Sequence, residues 1–281
     1  MRRLPRPHFT GIAALNLCAS SIRDQNLKNR LNLVKEVVDF AEQAYALHAE
    51  VATLYLIGGT DDVGGHLTGK QMERVYNDTF VKSAKTRTIY DQLKKACEND
   101  ICPLCGQGTV YQLDHYLPIT SFPVYGVSSV NLVPACADCN KRKRAYAAAA
   151  AGDQTLHPYF DDVEQERWLF ASVNEVRPAA LAFSVKPPST WNDLKMKRVA
   201  THFRIFGLGA LYATHAAVEI NNMRFALTKM ATEPDSAQRI SAHLRERAES
   251  CAVAHRNSWQ TATLEALADS DWFCTKGFRK D

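Results

Sequence analysis

No uninterrupted apolar run among these 281 residues reaches the roughly 20 positions that a bilayer-crossing helix needs, so no membrane span is expected. An apolar leader is missing too. Met1-Arg2-Arg3 is followed by Pro5, Arg6, Pro7 and His8, which reads as an extended entry arm over Met1 to His8 and predicts no signal peptide. The glycine-rich loop from Gly58 to His66 lacks the Lys-Ser/Thr ending of a phosphate-binding loop, which excludes a nucleotide site there and leaves His66 as a surface residue. No internal repeat is visible. A net charge of +4 excludes a wholesale polycation, so affinity for nucleic acid would have to come from local positive charge. The natural setting for such a chain is a reducing cytoplasm. Its 46% hydrophobic content supports a real core in one large or two modest domains.

Against that background the cysteines stand out. Four of the eight form two Cys-x2-Cys pairs, Cys102/Cys105 and Cys136/Cys139, with thirty residues between Cys105 and Cys136. Two thiolates three positions apart on a tight knuckle grip one face of a tetrahedral metal, a second knuckle completes it, and four sulfurs favour a closed structural Zn²⁺ site. The intervening loop is longer than a plain zinc ribbon needs. Cys18, Cys97, Cys251 and Cys274 are scattered and read as ordinary thiols.

Between the knuckles the local reading is strand, strand, helix. Thr109 to Leu113 is β-rich and runs into Asp114-His115. Pro118, Pro123 and Gly126 make residues 116 to 128 a loop. Val130 to Val133 is a second short strand interrupted by Pro134, and a helix is predicted from the Cys136 knuckle through Lys141 to about Ala150. Such a ββα unit brings Asp114, His115 and Asn140 around one small volume. Their chemistry suits phosphodiester hydrolysis. A neutral imidazole, with an unperturbed pKa of about 6.5, can take a proton from water. A carboxylate and an amide oxygen are hard ligands for Mg²⁺ or Mn²⁺ that leave positions open for phosphate and water. Lys141-Arg142-Lys143-Arg144 follows Asn140 directly, where a DNA backbone would lie.

At Asp114-His115, Asn131, Asn140 and the two cysteine pairs, over about residues 97 to 150, the chain resembles the HNH endonuclease family in its zinc-supported variant. The resemblance implies a ββα-metal fold with His115 as general base. It also implies Asp114 and Asn140 as ligands of the catalytic divalent ion. Asn131 would hold the loop and orient the His115 backbone, and the products would carry 5′-phosphate and 3′-hydroxyl ends. Asn140 stands where some members have His. More weakly, the flanking helices are similar to HNH proteins encoded with ATPases in bacterial anti-phage systems, including Septu-type effectors, which implies an ATPase partner.

The rest of the chain reads as scaffold. Residues 11 to 57 are predicted helical, with Leu31, Val34, Val37, Val38, Ala41, Ala44 and Tyr45 as a core stripe and Asp24 as a helix cap. Helix returns over 69 to 97, where Val75, Phe80, Val81, Tyr90, Leu93 and Ala96 face a core. There Lys82, Lys85, Arg87, Lys94 and Lys95 are either solvated or a second DNA-facing patch. The Ala147–Ala151 run reads as a helix finishing. His157 is better read as packing beside Pro158 and aromatics than as a metal ligand. Two short strands follow, Trp168 to Val173 and Ala180 to Val185. Pro187-Pro188 marks a boundary. Helices are predicted from Met196 to Met230, with Gly207 and Gly209 as breaks, and from Pro234-Asp235 to about Ala268. Their histidines, His202, His215, His243 and His255, are structural or exposed, and Asp271 to Asp281 is a tail.

The expectation is a mostly α, α+β protein: an N-terminal helical region over 1–96, an inserted nuclease module over 97–152, and a C-terminal region over 153–281 of short strands then helices. The function expected is metal-dependent DNA cleavage. The competing class is a non-catalytic zinc module that binds nucleic acid or a protein, and a structural zinc ribbon would need none of Asp114, His115 and Asn140. RNA cleavage is a third option, unsupported by any aromatic RNA platform.

Overall fold

A computed structural model describes residues 1–279. The chain forms two compact units, Met1–Asp162 and Val163–Asp281. Residues expected as a separate helical region and nuclease module thus pack together in the first unit. Among the described residues no helix is long and apolar enough to cross a membrane.

In the first unit, α1 (Gly11–Ser21), α2 (Gln25–Leu33) and α3 (Lys35–Glu50) are followed by a small antiparallel hairpin of β1 (Asp62–Val63) and β2 (Leu67–Thr68), the first strand lying inside the Gly58–His66 segment expected as plain loop. Asp24 caps α2 as its carboxylate predicts, accepting the amides of Asn26 and Leu27. The stripe expected to run unbroken breaks at Val34 (φ −96°, ψ 2°), so α3 starts a new helix. Its buried face is Val38, Glu42, Tyr45 and Ala49, whereas Val37 points outward. α4 (Gly69–Arg74), a π-helical turn (Val75–Phe80) and α5 (Ala84–Lys94) complete the scaffold.

β3 (Gln112–His115) pairs antiparallel with β4 (Leu132–Ala135) in the register Gln112↔Ala135 to His115↔Leu132, and α6 (Ala137–Lys143) follows. Pro134, expected to interrupt the second strand, lies inside it, opposite Leu113. The sheet has only two strands, so a residue without an amide hydrogen can sit where no donor is needed. One face of this hairpin joins the helical core. Leu113 and Leu132 pack with Leu15, Val38, Phe80 and Leu93, each fully buried aliphatic or aromatic side chain contributing roughly 1.5–3 kcal/mol. α6 stops at Lys143, short of the predicted Ala150. Arg144 turns the chain with φ 48°, and the alanine run holds only a single 3-10 turn, Ala151–Asp153. Tertiary ties override alanine's helix propensity there. Tyr146 Oη donates to the Asp153 carbonyl and Gln154 Nε2 to the Ala52 carbonyl.

The entry arm is extended, and it is tied down: Arg2 N donates to Pro103 O and Leu4 N to Pro158 O, at 2.8 and 2.9 Å. His157 is buried among Tyr45, Tyr116, Tyr159 and Phe160. The Tyr159 amide donates to its Nδ1, and its Nε2 lies 3.0 Å from Tyr45 Oη, the packing role favoured over metal binding.

The second unit holds the hairpin of β5 (Leu169–Asn174) and β6 (Ala180–Val185), then α7 (Asp193–Ile205), α8 (Leu208–Met230), α9 (Ser236–Ala254) and α10 (Trp259–Ala268). Gly207, with φ 61°, supplies the break before α8. The helix expected from 235 to 268 divides at 255–258, where Ser258 caps α10 by accepting the Thr261 amide. The expected tail is packed as far as it is described: Phe273 and Phe278 are fully buried. Lys280 and Asp281, the last two residues of that segment, lie outside the described residues.

Candidate metal centre and active site

The four knuckle cysteines are all buried, and their sulfurs lie within 4.8 Å of one another. A tetrahedron with metal–sulfur bonds of about 2.3 Å has edges of about 3.8 Å; Cys105 Sγ and Cys136 Sγ are 3.9 Å apart. The backbone builds each knuckle. Gly106 N donates to Cys102 O, with Gly106 in the left-handed region at φ 65°, and the Gly108 and Cys139 amides point at the sulfurs of Cys105 and Cys136. Gly108 has no room for a side chain, since a Cβ there would stand 2.8 Å from Cys136 Sγ. This site could hold a zinc ion. Among the described residues no other group of three or more His, Cys, Asp or Glu side chains converges in this way. Cys18, by contrast, is an inert core thiol whose burial pushes its pKa up to about 12.

Asp114 and His115 end β3, and both are buried. His115 Nε2 lies 2.9 Å from the Gly126 carbonyl oxygen. A carbonyl only accepts, so Nε2 carries the proton and Nδ1 keeps its lone pair. The edge of Tyr76 packs on the imidazole at 4.4 Å, and burial lowers the His115 pKa to about 4, so the ring is neutral near pH 7.

Asn131 clamps the loop that delivers Gly126. Its Oδ1 accepts the Leu117 amide at 2.7 Å, its Nδ2 donates to the Leu117 carbonyl at 3.0 Å, and its own carbonyl accepts the Tyr116 amide at 2.8 Å. The loop is therefore fixed from Leu117 on one side and through Gly126 on the other. No hydrogen bond runs from the Asn131 side chain to His115 itself; the amide it reaches is two residues further on.

Lys143 occupies a place that the sequence did not foresee. Expected in a basic run of which only about two members would face the phosphates and the rest would be solvated, it is buried: its Nζ lies 3.2 Å from Asp114 Oδ2 and donates to the His115 carbonyl at 2.6 Å. The reason is helical geometry, since four consecutive residues spread around the circumference and one must point inward. Burial raises the Asp114 pKa, and the Lys143 charge draws it back down. Asn140 stands three residues before Lys143 on α6, about one helical turn earlier, and is partly exposed. Lys141, Arg142 and Arg144 are exposed and border one shallow surface depression with Asp138. The upstream patch is partly spoken for: Lys82 and Arg87 pair with Asp78 and Asp91, and Lys85 bonds to Ser20.

Three contributors went unseen in the sequence. Tyr76 belongs to no motif and is not among the core positions expected over 69–97, Gly126 acts through its carbonyl, which every residue has, and Lys143 hides inside a charge run. The sole signal was that four adjacent basic residues on a helix cannot all face one way.

No family model and no solved structure matches the chain. A curated relative does: Protein ea31 of Escherichia phage lambda is 30% identical over 236 residues, covering 79% of each chain. At that identity and coverage, the chain belongs to the family of phage lambda protein ea31.

Proposed function

We propose that this protein is a metal-dependent endonuclease of the HNH type that hydrolyses phosphodiester bonds in DNA. The observation that carries this reading is the state of His115. Its Nε2 proton is committed to Gly126 O, so Nδ1 is the free basic atom, and burial keeps it unprotonated near neutral pH. A histidine that only filled space would need no clamped loop to select its tautomer. In the proposed reaction His115 Nδ1 takes a proton from the attacking water. Asp114 and Asn140 would hold the catalytic ion, a carboxylate and an amide oxygen being donors of the kind that Mg²⁺ or Mn²⁺ takes. A divalent ion there would supply positive charge for the phosphate and the leaving oxygen. Lys141, Arg142 and Arg144 offer exposed charge for the DNA backbone. The four-cysteine site fastens the start of β3 to α6 and takes no part in the chemistry.

One observation favours the competing reading of a non-catalytic zinc module that binds nucleic acid or protein: the Asp114 carboxylate already has a partner in Lys143. Purified protein incubated with plasmid DNA and Mg²⁺ or Mn²⁺ separates the two, alone and with products of neighbouring genes, an ATPase partner among them. Cleavage is expected, and His115→Ala should lower it about 10²- to 10⁴-fold with zinc content and melting temperature retained. Near-normal turnover by that variant would refute the assignment.

A further inference from the structure

Helix α3 carries two apolar faces. One, through Val38, Tyr45 and Ala49, is buried in its own unit. The other runs from Leu33, at the end of α2, through Val37, Phe40, Ala44, Leu47 and Val51. From Val37 to Val51 successive members are three, four, three and four residues apart, while Leu33 precedes the break at Val34. At 100° per residue this second face lies roughly 140° around the helix from the first. It is open to solvent: Phe40 is 75% exposed, Leu47 67% and Val51 65%.

Alternating steps of three and four are the seam of a two-helix coil. The stripe exposes on the order of 550 Å² of apolar side chain, near the top of what a monomer ordinarily leaves open. Two such stripes facing each other would bury over ~1,000 Å² before any rim contact, close to the ~1,200 Å² at which stable interfaces begin.

We propose that the partner of this face is a second copy of the chain, with the two α3 helices packed antiparallel about a two-fold axis. The side chains select that direction. Antiparallel pairing sets Val37 against Leu47 of the second copy and Phe40 against Ala44, so the largest residue of the seam meets the smallest. Parallel pairing would set Phe40 on Phe40 and Ala44 on Ala44, one layer overfilled and the next hollow. Charge agrees. Glu36 would face Glu50 of the second copy, and Glu50 already holds Arg6 at 2.8 Å, so a guanidinium stands where the two carboxylates converge. A two-fold axis also makes the interface self-complementary and closed.

The dimer is independent of the catalytic reading and is tested without activity. Sedimentation velocity of the full chain at tens of micromolar should give twice the monomer mass. Leu47→Glu should return the monomer mass with zinc content and melting temperature unchanged. Val51→Lys, at the helix end, is the second variant should Leu47→Glu fold poorly. Direction is read by disulfide capture under mild oxidation. Val37→Cys/Leu47→Cys should cross-link two chains while neither single variant does. Within one chain those positions lie about 15 Å apart along the helix, beyond disulfide reach. A wild-type monomer up to about 100 µM, as expected if the face serves a different protein, overturns the proposal. So does a dimer that both charged variants leave intact. Cross-linking by either single variant overturns the antiparallel arrangement.

Discussion

Replacing Lys143 with Met is the most discriminating perturbation of the centre. Its ammonium and the Asp114 carboxylate are both buried, with side-chain exposures of 3% and 9%, and they lie 3.2 Å apart. Methionine replaces the apolar stem of lysine as far as Cε but strands the carboxylate. It also removes the 2.6 Å bond to the His115 carbonyl. Breaking one partner out of a buried pair costs about 3–5 kcal/mol. For a unit the size of the first one, each kcal/mol lowers the melting temperature by about 2–4 °C, so a drop of roughly 6–20 °C is expected. Asp114→Asn in the same background removes the stranded charge and should recover most of the loss. The double-mutant cycle would then show coupling well beyond the ~0.5 kcal/mol of independent sites.

Thermal melts of the four proteins, with zinc measured in each to confirm an intact staple, supply the cycle. Mn²⁺ provides a further arm. If Asp114 is an ion ligand, the cation should raise the melting temperature of Lys143→Met more than that of the wild type. Loss of less than about 1 kcal/mol in Lys143→Met, or additive effects in the double variant, would refute the buried pair as a determinant of the site.

Cys102→Ser or Cys136→Ser should lose zinc and unfold the ββα unit, since structural zinc contributes an apparent ~10–16 kcal/mol in small zinc-finger peptides; a variant that keeps full zinc by elemental analysis contradicts the four-sulfur staple. In a catalytically inactive His115→Ala background, Arg142→Gln or Lys141→Gln should weaken binding to short duplexes regardless of sequence and reduce the salt slope by about one per lost phosphate contact. Unchanged slopes for both, and for Arg144→Gln, would place the DNA path elsewhere. Burial raises the Glu42 pKa above its unfolded value, with the Gly11 amide opposing it at 2.7 Å. The folded state therefore binds the proton more tightly, and stability falls as pH rises from the unfolded pKa through the folded one. Glu42→Gln keeps an acceptor for Gly11 and should raise the melting temperature at pH 7 but not at pH 4; equal effects at both would reject the pH argument.

What could be read from the sequence was what is decided within a few residues. Two Cys-x2-Cys pairs specify knuckles by local geometry alone, and the four sulfurs do converge. The Asp24 cap is an interaction across two and three residues, and the β5–β6 hairpin follows from alternation. The misses needed distant contacts. Val34 has a helical neighbour on each side and full burial, yet the helix breaks there. The alanines from 147 onward would favour a helix in isolation. Arg144 instead turns the chain through a left-handed conformation, and the hydrogen bonds of Tyr146 and Gln154 hold the alanine run out of a helix. The closing segment looked polar enough for a tail, but Phe273 and Phe278 have a core to enter.

The same distinction runs through the candidate site. The types of Asp114, His115 and Asn140 point to hydrolytic chemistry, with Asn131 added by the resemblance to the HNH family, but residue types do not fix a tautomer. That is set by Gly126, eleven residues along the chain, in a loop held by Asn131, whose side chain bonds to the backbone of Leu117 and Tyr125. Lys143 makes the point most sharply. In the sequence it is one of four like charges, and charge runs belong to surfaces; in the fold it is the member that cannot face outward, because α6 is anchored by Cys136 and Cys139 on one side of β3. The four-cysteine knuckles therefore decide which lysine becomes internal. Stripping the zinc should disturb the Asp114–His115 pair through Lys143 before it disturbs the helical core, since Leu113 and Leu132 are held by that core independently of the sulfurs.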